Sequence, residues 1–394
     1  MNPGPFAAWL PRAGPLYTRA HTDPAVPRRP TQSPPSTSLD RPATWSALSG
    51  RERLKLVVFA LTPAVVLAAV LAAVFLWWRR PEGKALNELA WESSFTERGV
   101  QVPPRGPRDG FWGARIGARI GDDTLGWHEP RLSEPDLLDV DADGFQHYET
   151  AVSPKRHVLI IGGSVAFGSY ASSIATTYFH VLGTELERLG TPADLTIVAA
   201  GAWKALQEGR AVEQYGNSLS PDLIVLLNGL NDLTVGATSR RLYGQRMATK
   251  DGSEWTVEYH EHDYDDRITD YLEIMRRVGS FARRNGRAVL VVLQPSLAER
   301  ARRTSIEDRL LAISVVPLDS AAALQRSYQA MREGLAQLER SGWLQFLDCS
   351  RAFDGERATT FTDLWHFSDF GHRILGTAMA ARITTILRET APAG

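Results

Sequence analysis

The chain carries one cysteine, Cys349, in 394 residues. A lone cysteine forms no intrachain disulfide and no CxxC-type zinc or redox motif, so a disulfide-stapled scaffold and a zinc ribbon are both excluded. An excess of one charge is also lacking. Lys+Arg number 44 against 45 Asp+Glu, which removes any global pull toward nucleic acid. With 43% hydrophobic residues, a chain of this length can bury a core without staples, and collagenous, coiled-coil or wholly disordered classes do not fit.

Ten of the 23 prolines fall in the first 50 residues, among Ser, Thr and Arg and without apolar periodicity. That stretch has little to bury against the entropy of ordering, so residues 1–50 are expected to be a disordered tail. Leu56 to Trp78 is a run of 23 residues without a charge. As a helix it would span roughly 34 Å against a hydrocarbon core of about 30 Å, which predicts one transmembrane helix over 54–79. Trp77 and Trp78 suit the interface, with Arg51, Arg53 and Lys55 at one end and Arg79 and Arg80 at the other. The twenty residues on each side of the run hold four basic residues apiece, but eight precede it in all. The balance places the amino end in the cytoplasm and the large domain outside it, periplasmic or extracellular.

Residues 85–150 are rich in Gly, Pro, Trp and acidic residues and have weak periodicity. They are expected to form a lead-in segment that packs on the core of the next domain. From His157 short apolar runs alternate with amphipathic stretches: VLII from 158, LTIVAA from 195, LIVLL from 223, AVLVVL from 288 and WLQFLD from 343, each followed by a helical pattern. Five strand-helix units imply a parallel sheet covered on both faces. Residues 152–390 are therefore predicted to be one α/β domain, a three-layer α/β/α fold with a five-stranded parallel, flavodoxin-like sheet and its site at the carboxyl ends of the strands.

Three of those ends carry chemistry-bearing residues. After the first strand comes Gly162-Gly163-Ser164-Val165-Ala166-Phe167-Gly168. This loop lacks the Lys-Ser/Thr ending of a Walker loop, the GxGxxG spacing of a dinucleotide fold and the second Gly of a GxSxG elbow. Ser164 there is either a nucleophile or part of an ordinary Gly/Ser turn. The third strand runs into Asn228-Gly229-Leu230-Asn231-Asp232, where the Asn231 amide can stabilise an oxyanion or merely shape a turn. After the fifth strand, Asp363 and His366 stand three apart, a spacing that lets a carboxylate hold imidazole Nδ1–H while Nε2 faces a serine. Ser368 is expected to cap the last helix.

These blocks, in this chain order, resemble the SGNH (GDSL-like) hydrolase superfamily across residues 155–390, including the run PDLIVLLNGLND and the D-x-x-H block with Gly371 behind it. The resemblance implies that Ser164 is the nucleophile, His366 the general acid/base and Asp363 its orienting partner. It further implies an oxyanion hole made by the Ser164 backbone N–H, Asn231 and a backbone donor at Gly201. Two departures stand out. Gly163 replaces the acidic residue that usually precedes the serine. The second block, Ala199 to Glu208, aligns its donor on Gly201 by its glycine but on Ala202 by Leu206-Gln207-Glu208. The implied chemistry is hydrolysis of a carboxylic ester, an O-acetyl glycan or a lipid acyl ester, through a covalent Ser164 ester, and it requires neither a metal nor an organic cofactor. Transfer of the acyl group to a cell-surface glycan, and a non-catalytic membrane-tethered binding protein on a hydrolase fold, are the alternatives.

The cluster His260 to Asp266 reads as a solvated loop in preference to a metal site, and Cys349 as a small buried hydrophobe. The long connections 236–266 and 298–319 lie at the same sheet edge and are expected to shape the substrate pocket, with Tyr243, Trp255, Tyr259 and Tyr264 as its aromatic surface.

Overall fold

The computed structural model describes residues 49–51, 55, 57–59, 61–62, 81–110, 119–238, 247–248, 254–255, 264–314 and 321–390. The chain divides into two compact units, Met1–Phe75 and Leu76–Gly394. In the first, the described residues from Gly50 to Thr62 are helical. Nearly all of the predicted tail and most of the predicted membrane span lie outside the described residues, and among those described no helix is long and apolar enough to cross a membrane. The aromatic residues Tyr243 and Tyr259 and most of the His260 to Asp266 cluster also lie outside them.

The second unit opens with helix α1 (Pro81–Thr96) and two small antiparallel ribbons, β1 (Ile120–Asp122) with β2 (Gly126–His128) and β3 (Leu132–Glu134) with β4 (Leu138–Val140). The strand β5 (Phe145–Tyr148) then joins the main sheet. Its other members are β6 (Arg156–Gly162), β7 (Ala193–Ala199), β8 (Leu223–Asn228), β11 (Ala288–Leu293) and β12 (Gln345–Asp348). The two-residue strands β9 (Met247–Ala248) and β10 (Glu254–Trp255) pair with each other outside it. The helices are α2 (Ser164–Phe167), α3 (Tyr178–Arg188), α4 (Ala205–Ser218), α5 (Leu230–Thr238), α6 (Tyr264–Arg284), α7 (Ser305–Ser314), α8 (Ala321–Arg340) and α9 (Asp369–Glu389).

The main sheet has the order β12-β11-β8-β6-β7-β5. Its central strands are near-continuous apolar runs, and every residue of β8 is buried, as expected for a sheet covered on both faces. Helix α3 packs on α9, while α4, α6 and α8 pack side by side as a second group. With the right-handed crossovers expected of parallel strands, this strand order places the two groups on opposite faces. The sheet is mostly parallel but has six strands, not five: Phe145–Tyr148 runs antiparallel to β7, with Phe145 opposite Val198 and Tyr148 opposite Leu195. This edge strand comes from the lead-in. At four residues it is too short to show an alternating pattern, yet it covers an edge of β7 that would otherwise be unpaired.

From β6 the chain moves outward to β7 and then returns across β6 to β8, so the order reverses between β6 and β8. An open α/β sheet forms its crevice at such a reversal, outside the carboxyl ends of the strands. Ser164 follows β6 directly and Asn231 lies just past β8.

Candidate active site

Ser164 is the first residue of α2, a four-residue helix flanked by Gly163 at its N-cap and Gly168 at its C-cap, whose φ of 82° is left-handed. Buried Val165, Ala166 and Phe167 pin this short turn to the core and leave the serine at its lip. Early N–H groups of a helix have no intrahelical acceptor, so the turn itself places no demand on the Ser164 N–H.

The loop between β12 and α9 folds back on itself through a bridge between Phe361 and Phe367 and a bond from Thr362 N–H to His366 O at 2.9 Å. Asp363 sits at its tip and shapes it, one carboxylate oxygen accepting the N–H groups of Trp365 (2.8 Å) and His366 (2.6 Å). The other oxygen lies 2.8 Å from His366 Nδ1, and His366 Nε2 lies 2.7 Å from Ser164 Oγ. Sequence spacing alone allowed this arrangement; the structure brings all three side chains into one chain of hydrogen bonds. Burial disfavours the charged imidazole, but the Asp363 carboxylate, with a smaller contribution from Asp109, holds the His366 pKa above the ordinary histidine value. Burial likewise works against the Asp363 carboxylate, and His366 with the two backbone N–H bonds more than offsets it, so its pKa lies below the ordinary range.

Asn231 is brought to the same place. Its Nδ2 donates one hydrogen to Trp203 O at 2.9 Å, and a Cβ built on Gly163 would stand 2.5 Å from that nitrogen. The amide thus lies against the backbone of the residue before Ser164, with a second N–H to offer. Next along the chain, the Asp232 carboxylate accepts the Ala205 N–H at 3.0 Å, tying the turn after β8 to the start of α4.

Gly201 departs from the expectation. Its N–H donates to Glu129 Oε1 at 2.9 Å and its carbonyl accepts from Trp127 Nε1 at 3.1 Å, so the group expected to face an oxyanion is already spent. A Cβ there would meet the tip of the Arg119 side chain, which is flexible enough to move aside. Ala202, the other alignment, adopts a left-handed φ of 65°. Ser368 also differs: it occupies the N-cap position of α9 without a side-chain capping bond, and it is Asp369 that accepts the N–H (2.7 Å) and hydroxyl (2.6 Å) of Ser172. Cys349 is buried, and burial pushes its thiol up to about 12. Among the described residues there is no group of three His, Cys, Asp or Glu able to hold a metal ion.

The lead-in supplies residues that sequence reasoning missed. Glu129 and Trp127 clamp Gly201, and the Trp203 indole returns a bond to Trp127 O at 2.8 Å. Glu97 accepts the Thr359 N–H at 2.6 Å, and Arg98 donates to Thr359 O at 2.7 Å, bracing the loop that leads to Asp363. The connection after β11 does the same from the other side. Glu307 of α7 pairs with buried Arg300 and accepts the N–H groups of Thr360 (2.9 Å) and Phe361 (3.1 Å). The abundance of Gly, Pro, Trp and acidic residues over 85–150 was the only sign of the contacts made by the lead-in.

No family model matches the sequence, and no curated protein matches it. Solved structures similar in shape include an acetyl xylan esterase, AlAXEase, at 14% identity and a TM-score of 0.40, covering 58% of this chain and 99% of that one. Others are an acetylxylan esterase from Geobacillus stearothermophilus (14%, 0.37, covering 58% and 94%) and an α/β hydrolase enzyme from the metagenome of Lake Arreo, Spain (16%, 0.39, covering 59% and 96%).

Proposed function

We propose that the protein is a serine esterase that cleaves a carboxylic ester through a Ser164 acyl-enzyme. The observation that carries this reading is the unbroken line from Ser164 Oγ to His366 Nε2 at 2.7 Å and from His366 Nδ1 to Asp363 at 2.8 Å. Those distances lie within the reach a general base needs.

In the first half-reaction Ser164 Oγ attacks the ester carbonyl carbon while His366 Nε2 takes its proton. The developing oxyanion is met by the Ser164 N–H and the second N–H of Asn231 Nδ2, donors whose geometry is fixed before substrate arrives. Collapse of the tetrahedral intermediate expels the alkoxide, and His366 returns the proton to it. Water then repeats the sequence on the acyl-enzyme, with His366 again as base. Asp363 keeps Nδ1 protonated throughout and stabilises the imidazolium.

The ester is one whose alcohol is a glycan hydroxyl, with acetate as the acyl group, or one whose acyl chain belongs to a lipid. The uncharged run 56–78 supports a single membrane anchor, and the eight basic residues before it support placing this domain outside the cytoplasm. A fluorophosphonate, which reacts only with an activated serine, tests the reading: peptide mass spectrometry is expected to find the adduct on Ser164, and His366→Ala to abolish it. An adduct elsewhere, or none on a folded protein, contradicts it.

A further inference from the structure

The imidazole of His366 is held in its plane by Asp363 and Ser164, and one of its faces is covered by Tyr170. The two rings are stacked, with centroids 4.9 Å apart and planes 15° from parallel. We propose, on the esterase reading above, that Tyr170 is a positioning residue for the general base, and that Asp109 and Trp91 of the lead-in hold it in place.

Tyr170 has a φ of 71°. A bulky residue leaves the allowed basins in this way only where its surroundings over-determine the backbone. They do so here. Asp109 Oδ1 accepts the Tyr170 N–H at 3.0 Å, and Trp91 Nε1 donates to Tyr170 O at 3.1 Å. On either side of it, Arg108 Nε donates to Gly168 O at 3.0 Å and the Arg108 N–H to Ala171 O at 2.6 Å. The ring itself is 2% exposed in a cluster with Trp91 and Phe95. Toward that face, the imidazole can therefore tilt out of line with Ser164 only by displacing a ring whose backbone is fixed on both sides.

Asp109 has a second effect. It is 1% exposed, its Oδ2 has no hydrogen-bond partner among the described residues, and its charge favours protonated His366. The groups facing the imidazole are thus Asp363 and Ser164 in its plane, Tyr170 on its face with Asp109 behind, and, from α9, buried His372. Burial pushes His372 down to about 3, so it stays neutral, with Nε2 bonded to Ser169 O at 2.9 Å.

The test uses the full-length chain with 15N-labelled histidine in a Ser164→Ala background, where His366 is observed by NMR whether or not any ester is cleaved. Its signals are assigned by their loss in His366→Gln. Asp109→Asn keeps an acceptor for the Tyr170 N–H while removing the charge, and should move the His366 titration to lower pH. Tyr170→Ala should give a mixture of ring tautomers where the parent shows Nδ1–H alone, and Tyr170→Phe should restore the parent spectrum. With Ser164 present, Tyr170→Ala should lower kcat on an aryl acetate roughly ten- to a hundredfold with little change in KM. An unchanged titration in Asp109→Asn together with an unchanged tautomer in Tyr170→Ala overturns the proposal. If the aryl acetate is not cleaved by the parent, the esterase reading fails, and the NMR result still decides whether Tyr170 positions His366.

Discussion

The Asn231 amide nitrogen occupies the space that a side chain on residue 163 would need, 2.5 Å from where the Cβ would stand. Glycine just before Ser164 therefore leaves room for the Asn231 amide. Gly163→Ala should push the Asn231 amide away and cost about a hundredfold in kcat on an aryl ester, the scale of losing one oxyanion donor. Asn231→Ala should cost a similar amount, and the double variant little more than either alone. Steady-state kinetics of the three variants measure this; full additivity would mean that the two positions act separately.

The pH dependence of turnover follows from the direction of the His366 shift. A general base must be neutral, and Asp363 holds the His366 pKa above the ordinary value, so activity should fall as pH drops through that raised value. The acidic limb of kcat/KM is expected above the roughly 6.5 of an unperturbed imidazole. Asp363→Asn should lower kcat by up to about ten-thousandfold through the wrong tautomer. An acidic limb centred below that of a free imidazole would show that Asp363 is not paired with His366 in solution.

Glu307 and Arg300 form an ion pair whose side chains are 0% and 1% exposed, and Glu307 also holds the backbone of Thr360 and Phe361. Removing one partner of such a pair strands the other charge. Glu307→Ala is expected to cost about 3–5 kcal/mol and to lower the thermal midpoint by several degrees. Calorimetry of the variant checks it, and an unchanged midpoint would mean that the loop before Asp363 is held by Glu97 and Arg98 alone.

A second buried pair behaves differently. Burial pushes Asp232 up to about 6, and burial with the Asp232 charge pushes Glu208 well above the ordinary carboxylate range. Raised carboxylates bind protons more tightly folded than unfolded, so the stability they contribute is complete below about pH 4 and is lost as pH rises through their folded values. The thermal midpoint should therefore decline as pH rises above about 4 and through the raised Asp232 value of about 6, and Glu208→Gln, which leaves an acceptor for Asn228 Nδ2, should flatten the decline. An identical slope in the variant would place the pH dependence elsewhere.

Legibility differs from residue to residue. The parallel strands announce themselves as apolar runs because both faces of the sheet are covered, and Asp363 and His366 are readable because three residues of loop determine their mutual reach. The bond from the Gly201 N–H to Glu129 was not legible, since Glu129 lies in a distant part of the chain and no local pattern announces such a partner. Tyr170 carries no sequence signal at all: its left-handed backbone and its stack on His366 are set by Asp109 and Trp91, contacts that depend on tertiary packing and not on local pattern. Strand β5 was missed for a similar reason, its four residues being defined by the edge they cover.

Catalysis by this site requires that Ser164 become acylated and that His366 move its proton. Hydrolysis of para-nitrophenyl acetate by the full-length chain, with Ser164→Ala and His366→Ala measured beside the wild type and all three confirmed folded by circular dichroism, tests this most directly. Turnover by the wild type and a loss of at least about a hundredfold in each variant is the predicted result. Equal rates in all three proteins would contradict it.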